Sequence, residues 1–171
     1  TTGNITTTNG TVTTESVTGA VTHGNITTSS AAGNNVQVRA ATNVITGGIT
    51  GYNITVNADR DANQTGDIEV GNTVTSNGGA VVMGGGLDPT TGMAYGDSTN
   101  SYKYGIHTWG GVTTSGGALT MNGTGGTYTG GANYGIYLNT ANVSGGVVNL
   151  TGVGGTGGNN NYGMNIYSSL Y

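Results

Sequence analysis

Ser115-Gly-Gly-Ala-Leu-Thr-Met-Asn-Gly123 and Ser144-Gly-Gly-Val-Val-Asn-Leu-Thr-Gly152 are two copies of one pattern, in which a turn of small residues precedes a short apolar segment. An earlier copy reads Ser76-Asn-Gly-Gly-Ala-Val-Val-Met-Gly-Gly85. A Tyr-Gly pair also recurs, at Tyr104, Tyr134 and Tyr162. Such internal repetition is typical of a chain that stacks like units on one another.

The composition restricts what the stacked unit can be. Glycine occupies 36 of 171 positions, charged residues make up 6%, and proline occurs once. A collagen would need far more proline, and a disordered tail would carry more charge. Because strong helix formers are scarce and no apolar stripe has helical spacing, we expect an all-β protein with essentially no α-helix.

Short β-branched segments bounded by Gly, Asn or Ser recur along the chain and predict short strands joined by tight turns. An antiparallel sandwich would suit this spacing as well as a parallel β-solenoid would. The self-similarity favours the solenoid, because stacked copies place like residues on like residues. The residues expected to point into its interior are Ile54, Val56, Ile68, Val70, Val81, Met83, Leu119, Met121, Val148 and Leu150.

Residues 1–171 are expected to form a single solenoid segment of about six or seven coils, as part of a longer repeat array. The range 86–103 interrupts the repeats and contains the one proline and the one lysine of the chain. We expect it to leave the rod as a loop. Such a loop is either a recognition surface or a tolerated insertion at a turn.

Several segments together resemble the passenger repeats of filamentous-haemagglutinin-like bacterial exoproteins of the two-partner-secretion or autotransporter type. The segments are Tyr52-Asn-Ile-Thr-Val-Asn-Ala-Asp-Arg-Asp-Ala-Asn63, Ser76-Asn-Gly-Gly-Ala-Val-Val-Met-Gly-Gly-Gly86, Tyr134-Gly-Ile-Tyr-Leu-Asn139 and Thr151-Gly-Val-Gly-Gly-Thr-Gly-Gly158. The resemblance extends over residues 35–167. It implies a right-handed parallel β-helix, export through an outer-membrane transporter, and a role in adhesion or as a surface fibre.

The charge and hydropathy of the chain bear on its partners. Only three residues are Lys or Arg and the net charge is −4, so nucleic acid is not expected as a partner. No apolar run is long enough to span a bilayer, so membrane insertion is not expected. An extracellular or cell-surface location, with host-surface, matrix or glycan ligands or other copies of the chain as partners, suits a Thr/Asn/Gly-rich surface.

One acidic segment raises the question of a metal site. Asp59, Asp61, Asn63 and Asp67 occupy the first, third, fifth and ninth places of an oxygen-rich calcium loop. Gln64 stands where such a loop has glycine, and Val70 where it has a bidentate glutamate. The sequence therefore predicts weak calcium binding or a solvated polar turn, with no other cofactor.

A polysaccharide-active enzyme is an alternative function, since such enzymes also use parallel β-helices with carboxylates on one face. Asp59 and Asp61 form one candidate pair, and Asp67 and Glu69 form another. In Asp67-Ile-Glu-Val70, however, ordinary strand alternation already places the acids outward. No second carboxylate cluster lies elsewhere in the chain, so no catalytic residue is predicted.

Aromatic residues suggest a contact surface, because rings on a polar face stack well on sugars. The residues proposed for it are Trp109, Tyr102, Lys103 and Tyr95. The recurring Tyr104, Tyr134 and Tyr162 could instead form a structural ladder between coils. Thr-x-Thr at Thr6–Thr8 and Thr11–Thr13 raises ice binding, but later coils do not repeat that pattern. The sequence thus predicts an adhesive or structural rod, with an enzyme or an end-to-end fibre subunit as alternatives.

Overall fold

A computed structural model describes residues 3–29, 31–101, 103–139 and 143–167. Within these ranges the chain forms nineteen short strands and no helix, so none of it provides a helix that could cross a membrane. The strands assemble into three sheets, and every pair of neighbouring strands in them is parallel. The predicted parallel β-solenoid is confirmed, and the antiparallel sandwich is excluded.

Each sheet takes one strand from every coil. The first sheet contains, in order, β1 (Ile5–Thr6), β4 (Ile26–Thr27), β7 (Ile49–Gly51), β10 (Val74–Ser76), β14 (Val112–Thr113) and β17 (Val143–Ser144). The second contains β2 (Val12–Ser16), β5 (Val36–Ala40), β8 (Ile54–Ala58), β11 (Val81–Gly85), β15 (Ala118–Thr124) and β18 (Val147–Val153), with β12 (Ala94–Tyr95) beside β15. The third contains β3 (Val21–Thr22), β6 (Val44–Thr46), β9 (Ile68–Val70), β13 (Ile106–Thr108), β16 (Ile136–Leu138) and β19 (Met164–Ile166).

The chain visits the first, second and third sheets in turn, which makes six coils in the described residues. The register keeps like residues above one another, as in the column Ile26, Ile49, Val74 of the first sheet. Burying each of these side chains contributes roughly 1.5–3 kcal/mol. The core is therefore a stack of aliphatic columns that runs through all three sheets.

The predicted interior residues lie as expected. Eight of them are fully buried, namely Ile54, Val56, Ile68, Val70, Val81, Met83, Leu119 and Met121. Val148 and Leu150 are partly buried and pack against this core from the sixth coil. That coil has a described neighbour on one side only, which leaves these two side chains partly accessible.

Asparagine side chains at the turns satisfy backbone groups of the next coil. The Asn4 Oδ1 accepts a hydrogen bond from the Asn25 backbone N–H at 2.8 Å, and the Asn25 Oδ1 accepts from the Gly48 N–H at 2.7 Å. The Asn53 Oδ1 accepts from the Ala80 N–H at 2.9 Å. Turns of a solenoid leave such donors without strand partners, and the abundant asparagines supply the acceptors.

The range 86–103 is not wholly a loop. Ala94 is fully buried, and β12 pairs with Gly123 and Thr124 of β15, so the chain returns to the rod within this range. The Asn122 Nδ2 donates to the carbonyls of Pro89 and Thr90, at 3.2 and 3.0 Å. Leu87 and residues 98–101 remain exposed on either side of this anchor. The insertion therefore forms two short excursions rather than one.

Candidate functional site

The outward face of the third sheet carries a row of unlike residues. His107 lies directly between Glu69 on β9 and Tyr137 on β16 in the parallel register. Ile106 and Thr108 flank His107 and point inward, because successive residues of a strand face opposite sides. The outward row therefore brings a carboxylate, an imidazole and a phenol together from three coils.

Rings crowd around His107. Its ring centroid lies 4.6 Å from that of Trp109, 4.8 Å from that of Tyr137 and 5.0 Å from that of Tyr104. These separations are within the range in which aromatic pairs attract one another. An open groove of about 460 Å³ follows this cluster, and its lining residues are Glu69, Asn100, Ser101, Lys103, Tyr104, His107, Trp109 and Tyr137. We call this feature the aromatic groove.

A column of tyrosines extends from the aromatic groove along the rod. Tyr104 stacks on Tyr134 with centroids 5.6 Å apart and planes 15° from parallel, and Tyr134 stacks on Tyr162 at 5.9 Å and 5°. The predicted tyrosine ladder is thus confirmed. Tyr137 also contacts Tyr167 edge to face at 5.9 Å. Aromatic contacts therefore continue from the fourth coil to the sixth.

The glycine of each Tyr-Gly pair explains why these tyrosines come so close. A Cβ on Gly135 would lie 2.4 Å from the Val153 nitrogen and 2.5 Å from the Gly123 oxygen. Only glycine therefore allows this turn, from the second sheet into the third, to contact both its own coil and the following coil so closely. The preceding Tyr134 is held outward by this turn, at the spacing of the coils.

Two polar contacts fix the edges of the aromatic groove. The Trp109 Nε1 donates to the Glu69 Oε1 at 3.2 Å, which ties the indole to the coil below. The Lys103 Nζ donates to the Asn100 Oδ1 at 2.8 Å and lies 5.3 and 5.2 Å from the ring centroids of Tyr104 and Tyr128. Cation–π attraction and one hydrogen bond thus hold the ammonium at the rim.

His107 is a neutral imidazole in this setting. Only 5% of the residue is exposed, and its Nε2 has no hydrogen-bond partner among the described residues. Burial, and then the nearby charge of Lys103, lowers the pKa of His107 to about 4. The phenol of Tyr104 is also uncharged, because burial and then the neighbouring tyrosines raise its pKa to about 12. The floor of the aromatic groove is therefore uncharged at neutral pH.

The proposed contact residues divide between two places. Trp109 and Lys103 both line the aromatic groove. Tyr95 lies on β12, where its backbone pairs with Gly66 in an isolated antiparallel bridge, and it is not among the residues that line the groove. Tyr102 falls outside the described residues.

Sequence reasoning missed Glu69 and His107 as lining residues. Trp109 follows directly after strand β13 and is two residues from His107, so the alternation of an extended chain predicts both side chains on one face. This signal was present in the sequence. The partnership of His107 with Glu69 carried no such signal, because the insertion between them hides the register.

The predicted calcium residues lie in two environments. Asp61 and Asn63 are exposed, and the Asn63 Nδ2 donates to the Asp61 Oδ2 at 2.9 Å. Asp59 and Asp67 are buried, and the Asp59 Oδ1 accepts from the Thr65 N–H at 3.2 Å. In the described part of the chain, no group of three or more His, Cys, Asp or Glu side chains is placed to hold a metal ion. Calcium binding stays a prediction.

Asp67 is a buried carboxyl group with an unpaired oxygen among the described residues. It is 2% exposed, and its Oδ1 has no hydrogen-bond partner in the described chain. Burial, and then the charges of Glu69 and Asp97, raises the pKa of Asp67 to about 8. Strand alternation was expected to place Asp67 outward with Glu69; Asp67 is nevertheless buried, because residues of the insertion, paired at Gly66 and Tyr95, cover this end of the third sheet. Each candidate carboxylate pair thus combines a buried acid with an accessible one.

In the sequence, Arg60 stands between Asp59 and Asp61. Its guanidinium instead pairs with Glu15, which lies two coils away on β2. The pair is partly exposed, so it contributes little to stability.

The comparisons with known proteins find no family model, no curated protein and no solved structure that matches this chain.

Proposed function

We propose that the chain is an adhesive rod segment of a bacterial exoprotein, displayed on the cell surface or secreted, with the aromatic groove as its contact surface. The β-solenoid is a fold compatible with a structural repeat protein, and six coils on one core make a rigid rod. The resemblance to filamentous-haemagglutinin-like passengers supports the location and the adhesive role, with export through an outer-membrane transporter. The ligand belongs to a host surface, a matrix or a glycan.

One observation carries this proposal. The aromatic groove is where a repeating surface gives way to unlike residues, with Trp109 47% exposed at its edge. Exposed aromatic residues beside fixed polar groups are typical of contact surfaces, since they bring a large area at a low entropic cost. Stacking of coils alone does not require an exposed indole there.

Attachment can be measured directly. Beads coated with the purified chain are passed over surfaces coated with extracellular matrix or with cultured cells, and the retained beads are counted under flow. The variant Trp109→Ala/Tyr137→Ala is expected to lower retention about tenfold, because two stacking rings are lost. Thr75→Ala, on the outward face of the first sheet, is the matched control and should leave retention unchanged. Equal retention by wild type and both variants would contradict the proposal.

A further inference from the structure

We propose that the ligand of the aromatic groove is an uncharged oligosaccharide that lies along the rod axis across consecutive coils. This inference rests on the proposed function and specifies its ligand. It follows from the charge of the groove, the arrangement of its rings and the pairing of the strands beneath them.

The charge of the aromatic groove matches an uncharged ligand. Its lining contains one carboxylate, from Glu69, and one ammonium, from Lys103. Each already has a partner, since Glu69 accepts from the Trp109 indole and Lys103 donates to Asn100. An anionic polymer would need several cations, and the whole chain has three Lys and Arg residues with a net charge of −4. Hydroxyl groups can share these partners without a net charge.

The rings provide the platform that a sugar needs. A pyranose has flat faces of C–H groups that pack on an aromatic ring, while its hydroxyls point sideways to polar groups. Trp109 is accessible and is held by its bond to Glu69, with His107 packed against it at 4.6 Å. Asn100 and Ser101 supply amide and hydroxyl groups at the rim. Trp109 therefore offers a sugar a fixed ring to pack on, with polar groups beside it.

The repeat of the coils determines the direction in which a bound oligosaccharide would run. Trp109 lies beside the fourth-coil strand β13, Tyr137 lies on β16 of the fifth coil, and Tyr167 contacts Tyr137 from the sixth coil. Tyr167 is also among the exposed large side chains. Neighbouring coils are about 4.8 Å apart, so successive rings are offered along the axis. A ligand of several sugar units can use more of these rings than a single sugar can.

The strands beneath the groove argue against a peptide ligand. An extended peptide commonly binds by adding a strand to a free sheet edge. Here β13 is paired with β9 on one side and with β16 on the other. The strand beneath the groove therefore offers no free edge for a peptide strand to join, which suits a sugar better.

The only tryptophan of the chain reports on this site. Trp109 fluorescence is titrated with neutral hexasaccharides of glucose, mannose, galactose and N-acetylglucosamine, with each monosaccharide, and with hexagalacturonate as the charged counterpart. At least one neutral hexasaccharide is expected to change the fluorescence with a Kd at least about tenfold below that of its monosaccharide, through added stacking. Hexagalacturonate should bind more weakly than that neutral hexasaccharide.

Variants then locate the bound sugar. Tyr137→Ala should raise the Kd of the neutral hexasaccharide about tenfold and leave the Kd of the monosaccharide nearly unchanged. The reason is that only a longer ligand reaches this second ring. Thr75→Ala should change neither Kd, and circular dichroism shows whether each variant is folded. The wild-type length series tests the proposal even if Tyr137→Ala does not fold.

The proposal is overturned if no neutral hexasaccharide alters the Trp109 fluorescence at millimolar concentration, or if only hexagalacturonate does. The bead assay separates the two levels. Retention that depends on Trp109, without any response to neutral sugars, would keep the adhesive role and reject the oligosaccharide. If retention does not depend on Trp109 and neutral sugars give no response, the proposed function itself is rejected.

Discussion

The outward faces of the first and third sheets share one backbone architecture but carry different kinds of side chains. On the first sheet a single hydroxyl side chain per coil lies in register, and we call this column the threonine row. Its members are Thr6, Thr27, Thr50, Thr75, Thr113 and Ser144. The corresponding column of the third sheet changes from coil to coil and reads Thr22, Ile45, Glu69, His107, Tyr137 and Asn165.

The difference separates residues that serve stacking from residues that call for another explanation. A β-branched hydroxyl residue fits a pleated, half-exposed surface, so the threonine row is explained by the sheet it belongs to. A carboxylate beside a buried imidazole and an exposed indole is not required by stacking. In this solenoid, repetition marks structure and loss of repetition marks the candidate site.

Leu119→Asp is expected to have the largest effect, because both faces rest on one core. Leu119 is fully buried between Val81 and Val148 in the second sheet, and a buried carboxylate without a partner costs more than about 4 kcal/mol. Thermal unfolding followed by circular dichroism should show loss of the cooperative transition. Leu119→Met is the control and should stay folded. A wild-type melting curve for Leu119→Asp would contradict the conclusion that the two outward faces depend on this shared core.

Asp67→Asn tests whether pH dependence belongs to the side of the aromatic groove. The folded pKa of Asp67, about 8, exceeds its ordinary value of 3.8, so its contribution to stability is complete below pH 4 and is lost as pH rises to 8. His107, with a folded pKa of about 4 against 6.5, contributes fully above pH 6.5 and loses that contribution as pH falls.

The wild type should therefore change little between pH 4 and 6.5, where the two contributions oppose each other, and should lose stability from pH 6.5 to 8. Asp67→Asn should remove that loss and be more stable at pH 8.5 by up to about 6 kcal/mol, since each unit of the pKa difference corresponds to about 1.4 kcal/mol. Urea unfolding at several pH values measures this. Asp61→Asn, at an exposed acid, is the matched control. A parallel pH profile for both variants would show that burial of Asp67 is not the cause.

Tyr134→Ala compares the two surfaces in stability alone. Tyr134 stacks between Tyr104 and Tyr162, so its truncation should cost about 1–3 kcal/mol, whereas Thr75→Ala should cost less than about 0.5 kcal/mol. Chemical denaturation of the two variants gives both values. Tyr134→Phe keeps the ring and should match the wild type. Equal losses for Tyr134→Ala and Thr75→Ala would mean that the tyrosine column adds no more than the threonine row.

Calcium should have the smallest effect, and it would act outside both surfaces. Asp59, Asp61 and Asn63 already accept or exchange hydrogen bonds within their own turn. We expect millimolar calcium to raise Tm by less than about 2 °C relative to chelator, as weak binding implies. Differential scanning calorimetry with calcium and with EDTA measures the shift, and Asp61→Asn should abolish it. A larger shift would assign a strong metal site to this turn.

Much of the architecture was predictable from particular residues. The copies at 115–123 and 144–152 indicated stacking, and alternation in segments such as Ile54-Thr-Val56 assigned the inward residues correctly. The Tyr-Gly pairs predicted the tyrosine column. The threonine row was missed, because coils of unequal length place its members at irregular intervals in the sequence while the register aligns them in space.

By itself, the sequence determined the class of fold, the identity of the core residues and the stacking of like residues, because these follow from local alternation and repetition. Only the tertiary structure decided that Glu69 meets His107 and Trp109, that β12 returns to the rod and that Asp67 is buried. These contacts depend on how far each excursion runs before the chain rejoins the stack. Local propensity does not specify that distance, whereas parallel pairing between coils does.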